Sequence, residues 1–152
     1  MTRFSPARDA LADLLRRRIV VAPMAGGPTT TELVVAAARA GALGWLAAGY
    51  KTPEAMAAEI AAVRAATAEP FGVNVFVPGT PYPDRRALAG YLDSLGPGLG
   101  DASWDDDGFD GKVAVLLADP PAITSFTFGC PPPGVIRALQ DAGSAVVITV
   151  TS

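Results

Sequence analysis

Alternation of strand-like and helix-like segments constrains this chain more than any other feature. Apolar strand-like runs begin near residues 18, 43, 71, 122 and 145. Helix signals separate them, and that pattern predicts a parallel sheet. Outside one longer gap, the spacing approaches the ~30 residues of a single strand-helix unit. RIVVAPMAGG, residues 18–27, opens the series, and its continuous apolar start suits a strand covered on both faces. LGWLAAG (43–49), FGVNVFV (71–77), AITSFTFG (122–129) and AVVITVTS (145–152) follow.

The helices between them carry local start and stop signals. From about Thr31 to Ala40 a helix is expected, with Thr29 and Glu32 at capping-box spacing and Gly41 as the stop. Thr52 is a good N-cap for the next, Pro53 suits its first position, and Glu54 favours its positive end. Met56, Ile60 and Val63 recur there at i, i+4 and i+7, one buried stripe. Residues 78–111 form an irregular insertion, with a short helix near Arg85–Leu95 and the acidic run DDDGFD. Those carboxylates read as a solvated face or a helix start rather than a metal site. KVAVLLAD (112–119) continues a helix up to Pro120, and a last helix runs from about Gly134 to Ala142.

A closed eight-stranded barrel typically takes ~250 residues. With five strands in 152 residues, the chain reads as an α/β fold, the first half of a TIM (β/α)8 barrel with an insertion between strands three and four. The competing reading is a complete five-stranded doubly wound sheet, but no G-x-G-x-x-G fingerprint follows any strand. Half of the residues are hydrophobic and 18% are charged, which indicates a globular chain. A net charge of −3 without a basic block favours neither nucleic acid nor a membrane surface as partner. Cys130 is the single cysteine, so no intrachain disulfide forms, and a reducing cytoplasm is the expected setting. No signal peptide is expected after MTRFSPARDA, and no run reaches the ~20 apolar residues that span a bilayer. With no histidine and one cysteine, zinc and haem sites are excluded as readings.

Barrel enzymes place ligand groups at the carboxyl ends of strands. In APMAGG, Pro23 removes a ladder donor and the glycines let a planar ligand approach the backbone. Amides from Met24 to Gly26 could meet a flavin ring, with the Met24 side chain against it; composition alone favours a tight turn with a core methionine. Asn74 is an amide in an apolar strand and must satisfy its polar atoms, through a ligand or a neighbouring strand. Thr127 in SFTFG reaches a strand tip, and Ser125 shares its face by alternation. A threonine hydroxyl is no general base near neutral pH, and a serine-hydrolase triad has no histidine to draw on. Lys51 reads as a surface charge, and Cys130, followed by three prolines, as part of a structural turn.

RIVVAPMAGG, LGWLAAGYKTPEAM, PFGVNVFVP, AITSFTFGCP and VVITVTS together, in order from Arg18 to Ser152, resemble the flavin-dependent nitronate monooxygenases, formerly called 2-nitropropane dioxygenases. The resemblance implies an FMN-binding TIM barrel that oxidises alkyl nitronates with oxygen to a carbonyl compound and nitrite. It implies that Ala22, Pro23, Met24, Ala25 and Gly26 line the flavin, that Asn74 contacts FMN, and that Thr127 faces the substrate. Many members read SFHFG at strand four, with histidine as the base that deprotonates a neutral nitroalkane; position 127 here is threonine. A nitronate is already an anion, so its oxidation does not need that base. Residues 1–152 are expected to be the N-terminal part of one FMN-binding barrel domain, inactive and weakly FMN-binding alone. The remaining half would come from the same or another chain, because such barrels grip phosphate after strands seven and eight. Two other functions fit the pattern: an FMN-dependent NAD(P)H reductase of the enoyl-reductase type, and an inactive half-barrel serving as a binding module.

Overall fold

The computed structural model describes residues 12, 14, 16–81, 84–98 and 103–151. Five parallel strands form one sheet: β1 (Val20–Val21), β2 (Leu43–Ala47), β3 (Gly72–Phe76), β4 (Ile123–Thr127) and β5 (Ala145–Ile148). Between them run α1 (Thr31–Arg39), α2 (Pro53–Ala66), α3 (Arg85–Leu95), α4 (Phe109–Ala118) and α5 (Pro133–Asp141). The strand order is sequential, β1-β2-β3-β4-β5. A doubly wound sheet reverses its order at a switch point, so the sequential order removes that alternative and leaves the barrel-like one.

β2, β3 and β4 are buried on both faces, and most of their residues are apolar. Helix-facing residues Leu46, Val73, Val75 and Phe126 pack with Val34, Met56, Ile60, Val63, Leu116 and Leu139 in the larger core cluster. On the opposite, inner face, Leu43, Trp45, Ile123 and Ala145 form a smaller layer with Leu14 and Val147 packed against it. Room for the Trp45 indole comes from Gly72, where a Cβ would stand 2.2 Å from the ring. The α2 stripe is as expected: Met56, Ile60 and Val63 are fully buried, each side chain contributing about 1.5–3 kcal/mol. Thr52 caps α2 by accepting from the Ala55 amide at 3.2 Å, and Pro53 takes the first turn.

Two expectations need correction and a third needs extending. β1 is two residues long and not covered on both faces, since Val20 is 46% exposed. It pairs only with β2 among the described strands, and Pro23 offers no amide to prolong the ladder. The N-cap of α1 is Thr30, whose hydroxyl accepts from the Leu33 amide at 3.2 Å; Thr29 does other work. The acidic run does start a helix, but it also turns inward. Asp105 and Asp106 accept from the amides of Asp107 and Gly108, winding the turn before α4, while residues 99–102 lie outside the described set.

Candidate functional site

Parallel strands in sequential order bring all five carboxyl ends to one rim. At that rim Asn74, in β3, is 5% exposed. Its Nδ2 donates toward Ser125 Oγ at 3.0 Å, Thr127 Oγ1 at 3.0 Å and the Ser125 carbonyl at 3.3 Å. The carbonyl can only accept, so it fixes which end of the amide faces β4. Thr127 Oγ1 also lies 3.5 Å from Thr149 Oγ1, extending the cluster past the end of β5. Ser125 and Thr127 share the inner face, as alternation requires. The register pairs Asn74 with Ser125 and Phe76 with Thr127.

The turn after β1 leaves the same, carboxyl end of the sheet: Val21 is the last residue of β1, paired with Gly44 of β2, and β2 in turn pairs with β3 through Ala47 and Asn74. Here Thr29 acts: buried, it accepts from the Met24 amide at 2.8 Å and returns its own amide to the Met24 carbonyl at 3.3 Å. The Met24 amide is thus engaged within the turn. Ala22 and Gly26 are exposed, Pro23 and Ala25 half-buried, and Met24 is 41% exposed. Gly26 and Gly27 sit at φ +81° and +121°, and a Cβ at either would meet open space, so the backbone is approachable there.

Aromatic rings flank the polar cluster. Phe76 meets Tyr50 edge-on with centroids 5.5 Å apart, and Phe128 at 4.8 Å. Behind Tyr50 lies a feature the sequence pattern hides. Lys112 in α4 is fully buried, and its Nζ lies 2.7 Å from Asp107 Oδ2, out of line for a hydrogen bond. Asp107 Oδ1 accepts from the Tyr50 amide at 2.8 Å, which ties the insertion to the rim. Lys112 falls at i+3 of the stripe Phe109, Val113 and Leu116, so a charge inside an apolar helical stripe was the available signal. Lys51 is held in a half-buried pair with Glu59 at 2.6 Å rather than standing as a free surface charge, and Cys130 is exposed beside its proline turn. A groove of about 740 Å³ lies between the outer faces of α1 and α2, lined by residues such as Val35, Arg39 and Ala62. No group of the rim cluster lines it.

A family model described as nitronate monooxygenase matches residues 8–152. The chain belongs to the nitronate monooxygenase family. This is a flavoprotein family. A probable nitronate monooxygenase of Bacillus subtilis is 33% identical over 91% of this chain and 42% of its own length. The nitronate monooxygenase of Pseudomonas aeruginosa is 35% identical over 91% of this chain and 42% of its own length. Among solved structures, a nitroalkane oxidase from Streptomyces ansochromogenes superposes with a TM-score of 0.84 at 45% identity, over 94% of this chain and 43% of that one. FabK from Thermotoga maritima superposes at 0.65 with 26% identity, over 93% and 37%. The chain therefore spans about two fifths of the length of the curated relatives it matches. Its five strands correspond to half of a TIM barrel. No helix among the described residues is long and apolar enough to cross a membrane.

Proposed function

We propose that this chain supplies the flavin-facing half of a single barrel domain that oxidises alkyl nitronates, using FMN and oxygen, to a carbonyl compound and nitrite. The rest of the barrel comes from the same or another chain, and the setting is cytoplasmic. One observation carries the reading: buried Asn74 donates to Ser125 and Thr127 on the inner face of β4, beneath the rim from which the open, glycine-rich turn after β1 also leaves. The groups there are neutral donors and acceptors, which fits the polar edge of an uncharged flavin ring. When bound, FMN would supply the electron-transfer chemistry. Ala22, Pro23, Met24, Ala25 and Gly26 would line it, and Asn74 would hold its polar edge.

Thr127 contributes by orientation. Asn74 Nδ2 donates to its hydroxyl oxygen, so the hydroxyl hydrogen can turn from Thr149 to donate to a nitronate oxygen. No histidine exists to remove a proton from carbon. This half of the barrel thus supplies no base at position 127, which suits a substrate that arrives already ionised.

The test uses the whole native protein with its flavin, assayed on one nitroalkane supplied either as the preformed nitronate or as the neutral acid. Turnover of the nitronate with little turnover of the neutral form is expected. Equal rates on both forms would overturn the assignment to Thr127. Anaerobic bleaching of the flavin by NADH or NADPH, with no nitronate oxidation, would replace the reading by a reductase.

A further inference from the structure

Tyr50, Phe76 and Phe128 come from three different strand ends yet form one row. Phe76 stands edge-on between the other two, at interplanar angles of 80° to Tyr50 and 66° to Phe128. It is also the register partner of Thr127, so the middle ring borders the hydroxyl cluster. The outer two are unusual. Tyr50 is 78% exposed and Phe128 73%, although both are large and apolar. Both also hold left-handed backbone, at φ 65° and 70°, a region bulky residues avoid. Strand alternation would send Phe128 to the helix side with Phe126; the left-handed turn breaks the alternation, and the ring meets Phe76 instead.

Neighbouring glycines make the row possible. A Cβ on Gly49 would lie 2.3 Å from the Phe76 ring, and one on Gly129 would lie 3.0 Å from Val77 Cγ1. Tyr50 is further held by the hydrogen bond its backbone amide donates to Asp107 Oδ1. Strained backbone at two strand ends, each beside a glycine that leaves room, makes an apolar wall that burial within these elements does not explain.

Resting on the nitronate reading of the rim, we propose that this row is the specificity wall for the carbon substituent of the substrate. The compact anionic head meets Thr127 and Ser125, and the body lies along Phe128 and Phe76. A wall of three rings favours substrates with aryl or extended alkyl groups over the smallest ones.

Benzoate and acetate serve as unreactive planar oxyanions that share a head and differ in body. Their binding to the whole flavin-loaded protein is measured by calorimetry, beside initial rates on an aryl and a methyl nitronate. The native protein is expected to bind benzoate about tenfold or more tighter than acetate, and Phe128→Ala to cut that ratio by about tenfold. Phe128→Gly, which suits the left-handed backbone, should cut it equally, separating the lost ring from any folding effect. Thr127→Val should weaken both anions together and leave the ratio in place. A native protein with no preference, or a ratio untouched by both Phe128 variants, overturns the wall. If the ratio falls as expected but no nitronate is oxidised, the wall stands and the activity reading falls. If nitronates are oxidised with the ratio unmoved, the reverse holds.

Discussion

Asn74 and Lys112 are both buried polar side chains, yet they solve burial in opposite ways. Asn74 is neutral, sits in a strand, and finds three acceptors on the neighbouring strand. Lys112 is charged, sits in a helix outside the sheet, and has Asp107 as its partner among the described residues. The amide faces the rim, where a ligand can share its network. The ammonium is sealed behind the rim and acts through Asp107 on the Tyr50 backbone. A neutral group can be part of a site and still be satisfied without a ligand. A buried charge cannot be left over in this way, because an unpaired ion in the interior costs several kcal/mol.

The largest effect expected follows from that difference. Asp107→Ala leaves the Lys112 ammonium buried without a counter-charge and should destabilise the whole protein by about 3–5 kcal/mol, read from the urea midpoint. Adding Lys112→Met to that variant should recover much of the loss. If the double variant is no more stable than the single one, the ion pair is not what couples the two residues. Next, Gly72→Ala drives a Cβ into the buried indole of Trp45 and should cost about 1–3 kcal/mol. A smaller value would mean that the inner layer yields more easily than the ion pair behind the rim.

Asn74→Leu should be milder in stability, about 1 kcal/mol, because Ser125 and Thr127 hydroxyls can turn to other partners. Its flavin affinity should fall about tenfold, one hydrogen bond's worth, in a fluorescence titration of the whole protein. Unchanged flavin affinity would leave Asn74 a purely structural amide and erase the contrast with Lys112. The exposed carboxyl of Glu54 marks the far end of the comparison. Its own backbone amide, then the Thr52 hydroxyl, hold its pKa below the usual value. A depressed folded value stabilises above the unfolded pKa, near 4.5, and that contribution is lost as pH falls through the folded value. Glu54→Gln should therefore differ slightly from the native protein at neutral pH, with the gap closing below about pH 4.5.

Much of the fold was legible because its signals are local. Thr52, Pro53 and the Met56–Ile60–Val63 stripe define α2 within one short stretch. Gly143, at φ +97°, marks the end of α5 in the same way. The polar members of the rim were legible too, since Asn74 and Thr127 interrupt apolar strands. The Thr29 staple, the Lys112–Asp107 pair and the aromatic row were not. Each depends on contacts between segments, and Tyr50 and Phe128 lie 78 residues apart in the chain.

Periodicity and capping chemistry alone determined that strands and helices alternate, where α2 sits, and that polar side chains interrupt two apolar strands. Those properties arise from each residue's own backbone preference and from its neighbours within one turn. The tertiary structure alone decided that the strands follow one another in order, that Asn74 turns toward β4, and that three rings meet across strand tips. Such choices depend on register and on the competition for buried partners, which no single segment contains.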